Sequence, residues 1–403
     1  GVSQVLNGGT AKPEALARFA SEHRLEELDP RRLEDEFVYR NTFELNQRFY
    51  ASLGDKRAFV LCHGRDLLVF KIVGYAEQAA AYYQLEDLKA HVWIAHQRYP
   101  TKGRVWHPGG AHPFIGLNEA LAHNGDFANY HGVTTYLRQR NIAPQFLTDT
   151  EVSVLLFDLL DRVYGYPLEV TIEALAPTTE RDFDLLPADK RQLYKAVQAV
   201  HLQASPDGPW FFIIARTRPD DGSWQLLGIT DTSMLRPQVF ALHEGKVQVG
   251  LIASEKQAID AALESLAAED ERICPVADRY WNARGGSHTD GGAFVFTVQR
   301  NGRGKELIVT DKFGQQVTTP LDQVHNNPST ATLHPPELAW TIAGPQSWVV
   351  AGTEGVDAAW RWLSREVQAW DYGELTWFCE RMVALATAGT PGSSSPGAGP
   401  EGD

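Results

Sequence analysis

The sequence predicts an α+β fold, and three observations support this class. Segments with strand character gather in two groups, one between residues 58 and 125 and one between 210 and 310, with helical patterns between and after them. A βαβ winding would instead alternate single strands with helices along the chain. The 403 residues are 43% hydrophobic, which is enough to bury a large core in one large domain or two smaller ones.

The first group of elements follows a polar segment, residues 1–57, that is mostly helical in pattern. Short apolar runs bounded by turn residues then predict four strands. These strands cover residues 58–62, 67–72, 91–95 and 121–125. Apolar residues at a period of 3.6 predict a helix over 151–164, whose first amides the side chains of residues 148–151 can cap.

The second group begins with a predicted helix over 188–204 and contains a further helix over 256–268. Runs of β-branched and aromatic residues between and after these helices predict six strands. The strands cover residues 210–215, 225–229, 238–242 and 247–252, and a closing hairpin covers 292–298 and 306–310.

The composition divides the chain into four segments. They are an N-terminal helical segment (1–57), a main domain (58–315), a C-terminal cap or docking segment (316–388) and a tail (389–403). The tail is rich in Gly, Pro and Ser and is expected to be disordered. Within the third segment, Trp360, Trp362, Trp370 and Trp377 predict either the core of a small cap or a docking face for another subunit.

The net charge of −14 argues against a nucleic-acid or membrane-surface partner, because both attract basic patches. No apolar run reaches the roughly 20 residues of a membrane span, and no signal peptide is visible. The three cysteines, Cys62, Cys274 and Cys379, form no CxxC pair and are expected to be buried core residues in a reducing cytoplasm. Because the chain starts at Gly1 and not at Met, we expect it to be processed, trimmed or cut from a longer sequence.

Arg98 lies in the stretch 96–103, HQRYPTKG, directly after a predicted strand. Read alone, it is an ordinary surface arginine. An arginine fixed by a proline turn at a strand end can also grip a carboxylate with its two-pronged guanidinium.

Asn124 and Gly125 end the strand predicted over 121–125. The simplest interpretation is a turn, because glycine accepts positive φ at little steric cost. The functional alternative is an oxyanion hole, in which the Asn124 side-chain amide and the Gly125 N–H direct two donors at one developing negative oxygen.

Asp149 lies at the start of the helix predicted over 151–164, where it serves either as a cap or as a partner for a substrate ammonium group. Arg98, the Asn124 and Gly125 donors, and Asp149 follow one another in an informative order. They make a receptor for a free α-amino acid whose side-chain amide is attacked. Arg98 would take the carboxylate, Asp149 the ammonium group, and Asn124 with Gly125 the amide oxygen.

At this point the sequence resembles class II glutamine amidotransferases, which are N-terminal-nucleophile hydrolases. The family signature H-x-R-x-P-T-x-G, H-N-G and D-[ST]-E corresponds here to residues 96–103, 123–125 and 149–151. A fourth match looks like strands of the family's second sheet. It comprises residues 228–231, 235–237 and 253–255, and residues 58–75 and 111–114 are similar to glutamate-synthase-related amidotransferase domains. The resemblance covers about residues 35–315.

The resemblance implies a four-layer αββα sandwich with the active site between the two sheets at one end. It also implies that Thr101 and His123 bind substrate together with Arg98 and Asp149. In the family, an N-terminal cysteine thiolate attacks the glutamine amide with its own α-amino group as base, and ammonia leaves through a tunnel. The expected function is glutamine hydrolysis with delivery of ammonia to a glutamate-synthase-like partner in nitrogen metabolism.

The expected partners are therefore glutamine and a glutamate-synthase-like domain or subunit, and a homo-oligomer stays open. No cofactor is expected in this chain, because it contains no flavin or cluster motif, and a flavin or iron–sulfur cluster would be carried by the partner. His107, His112, His123 and His131 lie close in sequence, but their spacing fits no standard ligand pair and predicts no metal site.

The chain departs from the family at its start, where Gly1-Val2 stands in place of Cys-Gly and the opening strands look truncated. Gly1 has no side chain, and Cys62, in an internal segment, has no free amine to serve as base. Three explanations stay open: a truncated piece of an active enzyme, a cysteine that precedes Gly1, or a binding module that lost its nucleophile and kept the pocket. Another amidohydrolase of the same fold, acting on a different amide, is a weaker alternative.

Overall fold

The computed structural model describes residues 12–50, 57–97, 108–126, 128–146, 148–233, 235, 238–301, 304–317, 340–343 and 347–350. The chain divides into two compact units, Gly1–Val317 and Thr318–Asp403. Within the described ranges, no helix is long and apolar enough to cross a membrane. The boundaries at 57, 315 and 388 stay predictions, and the tryptophan-rich stretch and the tail lie outside the described residues.

The helices of the first unit are α1 (Pro13–His23), α2 (Pro30–Phe49), α3 (Ala76–Tyr83), α4 (Tyr130–Arg138), α5 (Asp149–Asp158), α6 (Leu168–Leu175), α7 (Glu180–Asp184), α8 (Ala188–His201) and α9 (Lys256–Glu269). A π-helical turn over Leu159–Val163 continues α5. The helices predicted over 151–164, 188–204 and 256–268 are thus confirmed, and α1 and α2 lie in the segment predicted to be helical.

The main sheet of the described part has six antiparallel strands. Its order is β1 (Phe114–Ile115), β2 (Glu119–Gly125), β3 (Trp210–Arg218), β4 (Ser223–Thr230), β8 (Ala293–Asn301) and β9 (Gly304–Asp311). A second sheet has three antiparallel strands in the order β6 (Gln248–Ala253), β5 (Val239–Glu244) and β7 (Arg279–Trp281). The strand predicted at 121–125, the strands of the second group and the closing hairpin are confirmed.

The strands predicted at 58–62, 67–72 and 91–95 do not form. The described stretch 57–97 contains no strand, and a side chain takes the place of a neighbouring strand. Asn46 of α2 accepts the Val60 N–H at 2.7 Å, and its own amide donates to the Val60 carbonyl at 3.2 Å. The apolar pattern predicts burial only in part, because Val69 is 7% exposed whereas Leu68 is 52% and Trp93 is 50% exposed. A β-strand also needs a neighbouring strand with which its backbone can form hydrogen bonds, and sequence periodicity does not specify that neighbour.

One face of the main sheet is covered by α4, α5, α6 and α8. Alternate residues on the strands, such as Phe212, Leu227 and Val295, pack with buried residues of these helices in the largest apolar cluster. Side chains in a strand point alternately to opposite faces, so the neighbouring residues face the other way. The helical layer that includes α5 therefore covers one face of the main sheet.

The three-stranded sheet packs on the opposite face of the main sheet. Phe240 and Leu242 of β5 form one buried cluster with Phe294 and Phe296 of β8. The outer face of the small sheet is covered by α9, where Ile259 and Leu263 pack against Ala241. The molecule is therefore α+β with antiparallel sheets, as the sequence predicts.

A buried charge network fixes β2 against α5 and α2. Arg162 forms an ion pair with Asp158 at 2.6 Å and a second with Glu36. Asp158, at the end of α5, also accepts the backbone N–H of Leu117 at 3.3 Å. Glu119 at the start of β2 is fully buried, and burial together with the Asp158 charge holds its pKa well above the usual range. Burial and the neighbouring negative charge thus both favour the neutral form of Glu119.

In the second unit, the described residues form an antiparallel hairpin of β10 (Trp340–Ala343) and β11 (Ser347–Val350).

Candidate functional site

The last three residues of β2 are those predicted to bind and polarise an amide. His123 is 4% exposed and lies level with Phe212, so it faces the helices. Asn124 lies level with Phe211 and faces the opposite side, where it is exposed. Its side chain makes no hydrogen bond to another described residue, which leaves its amide available to a ligand.

Gly125 requires the absence of a side chain for two reasons. Its φ is +112°, a conformation that L-residues rarely adopt. A Cβ at this position would also stand 2.1 Å from the carbonyl oxygen of Pro209. The Asn-Gly pair lies within β2, level with Phe211 and Trp210 of β3, and is not a separate turn; the positive φ expected of Gly125 is present.

Asp149 is the first residue of α5. The cap is its neighbour Thr148, whose hydroxyl accepts the Glu151 N–H at 3.1 Å. Asp149 reaches β2, because its Oδ2 lies 3.6 Å from His123 Nδ1. The structure thus brings together Asp149 and the end of β2, which are separated by some 25 residues in sequence.

The environment of Asp149 favours its charged form. Burial alone would raise the pKa of this carboxyl, but contact with His123 and hydrogen bonds from Thr150 outweigh burial and hold the pKa below the usual range. One of these bonds is the Thr150 N–H at 2.8 Å. Asp149 is therefore ionised at neutral pH and suits a cationic group of a ligand.

His112 belongs to the same cluster and was not predicted as a site residue. Its Nδ1 accepts the His123 backbone N–H at 3.4 Å, so a neutral ring carries its proton on Nε2 and donates to the Thr150 hydroxyl at 2.8 Å. The ring of His96 stacks on His112 with centroids 4.0 Å apart. In the sequence, His112 was noted in the stretch AHPF at 111–114 as part of the resemblance and in a histidine group whose spacing predicted no metal site.

A buried carboxylate supports the start of α5 from behind. Glu151 accepts the backbone N–H groups of Gln145 at 2.6 Å and Phe146 at 2.7 Å. Next to it lies a cavity of about 50 Å³, which is lined in part by Lys71, a residue that is 8% exposed. Burial lowers the pKa of Lys71 to about 7, although the Glu151 charge opposes this shift.

Of the predicted site residues, His123, Asn124, Gly125 and Asp149 lie at or beside the end of β2. Arg98 and Thr101 lie outside the described residues, so their roles stay predictions. Within the described ranges, no three His, Cys, Asp or Glu side chains are grouped in a way that could hold a metal ion.

The cysteines differ from expectation. Cys62 is half-buried in an irregular segment and not in a strand, where its thiol donates to the Leu67 carbonyl at 3.2 Å. Burial raises the pKa of this thiol. Cys274 was predicted to be core but is exposed, because it falls in the loop between α9 and β7. Cys379 lies outside the described residues.

Two known proteins are similar to part of this chain, and no family model matches it. An uncharacterised protein of Archaeoglobus fulgidus is 32% identical over 254 residues, which are 63% of this chain and 60% of that protein. The glutamine–fructose-6-phosphate aminotransferase (isomerizing) of Campylobacter jejuni is 31% identical over 125 residues, which are 30% of this chain and 20% of that enzyme. The matched part thus spans less than two thirds of either relative.

Proposed function

We propose that this chain is a glutamine amidotransferase domain or subunit that hydrolyses the side-chain amide of glutamine. The observation that carries the proposal is the contact of Asp149, at the start of α5, with the end of β2. That contact, made through His123, places a carboxylate suited to a ligand ammonium group beside the strand end that carries Asn124 Nδ2 and Gly125 N–H, two donors suited to an amide oxygen.

The chemistry needs each of these groups at a different atom of glutamine. Asp149 holds the α-ammonium group, and Arg98 holds the α-carboxylate. A nucleophile attacks the amide carbon, and Asn124 and Gly125 stabilise the negative oxygen that develops. The C–N bond then breaks, ammonia leaves, and water releases glutamate from the acyl intermediate. In the proposal, the nucleophile is a cysteine thiolate that precedes Gly1 in the natural chain.

The packing of the layers supports a finer fold assignment. Helices, a six-stranded sheet, a three-stranded sheet and α9 follow one another in that order. We take this to be the αββα sandwich of the N-terminal-nucleophile hydrolases. The similarity to the glutamine–fructose-6-phosphate aminotransferase supports glutamine as the substrate. The matched region covers 30% of this chain.

The partner in this proposal is a glutamate-synthase-like domain or subunit that receives the ammonia. The alternative is a binding module that keeps the pocket without a nucleophile. Cys62 favours that alternative for the chain as given, because a buried thiol with a raised pKa forms little thiolate.

Glutamine binding by this chain is the first test. Asp149→Asn removes the charge that holds the ammonium group, and it is expected to weaken glutamine binding by about tenfold or more, as measured by calorimetry. Asp189→Asn is the matched control, because Asp189 also lies in the first turn of a helix, α8, and is exposed. Equal affinity of Asp149→Asn and the unmodified chain would remove Asp149 from the site.

Turnover is the second test and needs the product of the complete gene. Glutamate release, and an adduct with a thiol-directed glutamine analogue, are expected if a cysteine precedes Gly1. Binding of glutamine without release or adduct would decide for the binding module.

A further inference from the structure

Among the described buried side chains whose polar atoms lack a hydrogen-bond partner, two lie toward the end of the main sheet at which β2 finishes. Thr230 and Gln238 are each 0% exposed. The Thr230 hydroxyl and both the amide nitrogen and the amide oxygen of Gln238 make no hydrogen bond. Almost all buried polar groups in native proteins are paired, so such a group calls for an explanation.

Thr230 lies on the same face of the main sheet as Asn124. Asn124 of β2 is level with Phe211 of β3, which in turn is level with Thr230 of β4. Residues that lie level on neighbouring strands point to the same face. Asn124 and Thr230 are therefore two strands apart, about 10 Å, with Phe211 as the floor between them.

Gln238 approaches the same place from the small sheet. Gly228 of β4 lies against the ring of Phe240, where the two sheets touch. Thr230 is two residues beyond Gly228, and Gln238 is two residues before Phe240, so both side chains are directed into the space between the sheets.

Two contacts show that Thr230 and Gln238 lie at the same end of that space. The amide of Asn282 donates to the Gln238 carbonyl at 2.5 Å. Three residues further along, Gly285 lies against the backbone carbonyl of Asp231, the neighbour of Thr230. The end that contains these residues is also the end at which β2 finishes, because Gly125, Trp210 and Asp231 lie in one row across the main sheet.

The unpaired atoms define the chemistry of a ligand. The Gln238 side chain offers one acceptor and a donor group in one plane, and Thr230 offers a hydroxyl that can accept or donate. A primary carboxamide has the complementary set: one oxygen that accepts, and an NH2 group that donates two hydrogen bonds. A carboxylate lacks those donors, and an apolar group would leave every one of the atoms unpaired.

We propose that Gln238 and Thr230 form an amide-binding wall between the two sheets, opposite Asn124. In this arrangement, Gln238 Oε1 and Thr230 Oγ1 accept the two N–H bonds of a ligand carboxamide, while Gln238 Nε2 donates to its oxygen. The identity of the ligand as glutamine rests on the proposed function. The selectivity for an amide over a carboxylate rests on the wall itself.

The test combines stability with selectivity. Gln238→Leu and Thr230→Val keep side-chain size and remove the unpaired atoms. In the ligand-free protein, each variant is expected to raise the midpoint of thermal unfolding, by roughly 2 °C or more, because a buried unpaired polar group is lost. A lower midpoint would mean that these atoms are hydrogen-bonded in the free protein, to buried water or otherwise, and would overturn the proposal.

Selectivity is measured with two matched ligand pairs, L-glutamine against L-glutamate and acetamide against acetate. The unmodified chain is expected to prefer the amide of each pair. Gln238→Leu is expected to lower that preference about tenfold, and Asp149→Asn is expected to leave it unchanged while it weakens both amino acids equally. An unchanged preference in Gln238→Leu would overturn the proposal.

The two ligand pairs separate this proposal from the proposed function. Selective binding of acetamide that depends on Gln238, without binding of glutamine, would end the glutamine assignment and support the amide-binding wall. If the chain binds glutamine and its preference for the amide does not depend on Gln238 or Thr230, the glutamine assignment is supported and the amide-binding wall is ruled out. Failure of the unmodified chain to bind either amide would end both.

Discussion

At the scale of single residues, His123 and Asn124 show how adjacent positions acquire different tasks. The alternation of a strand sends His123 to the helices, where it meets Asp149, and Asn124 to the other face, where its amide is free. The order of motifs in the sequence singled out both residues as candidates. It did not indicate that they serve opposite sides of one sheet, because that depends on where the strand lies in the fold.

Gly125 is expected to tolerate no side chain. Gly125→Ala adds a Cβ 2.1 Å from the Pro209 oxygen at a φ of +112°, and we expect a loss of about 2 kcal/mol or more in the free energy of unfolding. Chemical denaturation measures this change. Gly222→Ala is the control, since Gly222 has a φ of +68° with no atom within 4 Å of a built Cβ. A loss no larger than that of the control would show that the contact with Pro209 is readily relieved.

Lys71 is expected to make stability depend on pH. Its pKa falls from 10.5 in an unfolded chain to about 7 in the fold, so between these values the unfolded state holds a proton that the folded state has released. The free energy of unfolding should therefore rise with pH across this window, by up to about 1.4 kcal/mol per pH unit. Below about pH 7 both states are protonated, and the dependence from this group ends.

Lys71→Met should be more stable than the unmodified chain at pH 7, with a gap that narrows toward pH 10 in urea titrations. Lys312→Met is the contrasting variant, because Lys312 is an equally buried lysine in an ion pair with Glu173. Its loss leaves a buried charge unpaired and should destabilise the protein at every pH. A pH-independent effect of Lys71→Met would contradict the lowered pKa.

At the scale of elements, the start of α5 positions Asp149, the carboxylate of the proposed site. Thr148→Ala removes the side chain that caps this helix and is expected to cost about 1 kcal/mol of stability. It should also weaken glutamine binding, because Asp149 is the next residue. Denaturation and calorimetry measure the two effects.

Asp29→Ala provides the control, because Asp29 caps α2 by accepting the N–H groups of Arg31 and Arg32. This variant should lose stability and keep glutamine affinity. If Thr148→Ala lowers stability and leaves affinity intact, the position of Asp149 does not depend on its helix cap.

The elements also show what sequence patterns could predict. The periodicity of α5 and the alternation in β3, β4, β5, β6, β8 and β9 were sufficient to place these elements, because each has its own repeated apolar face. The segments at 58–62 and 67–72 carry similar residues and stay irregular. In the first of them, Asn46 of α2 forms both backbone hydrogen bonds of Val60. No local pattern records such a long-range contact.

At the scale of the whole molecule, two glycines set the spacing between the sheets. Gly228 of the main sheet lies against Phe240 of the small sheet, and Gly250 of the small sheet lies against Phe296 of the main sheet. Each glycine gives room to an aromatic ring from the opposite layer. The sequence placed both glycines in strands, but it did not indicate that they face aromatic rings.

Gly228→Ala is expected to destabilise the protein by about 1–3 kcal/mol, because the new Cβ would stand 2.5 Å from a ring carbon of Phe240, which is 0% exposed. Chemical denaturation checks the value. Combining Gly228→Ala with Phe240→Leu should cost less than the sum of the two single variants, since the smaller side chain relieves the clash. Strict additivity would show that the two positions do not constrain each other.

The reciprocal seating of Phe240 on Gly228 and Phe296 on Gly250 also limits how the layers can move. Each ring occupies the space that a glycine leaves in the facing strand, and the two glycines belong to opposite layers. If the layers slid along the strands in either direction, a ring would collide with a neighbouring side chain. Shear between the layers is thereby blocked. If the gap beside Asn124 widens to admit a ligand, the motion is a hinge about this pair of contacts.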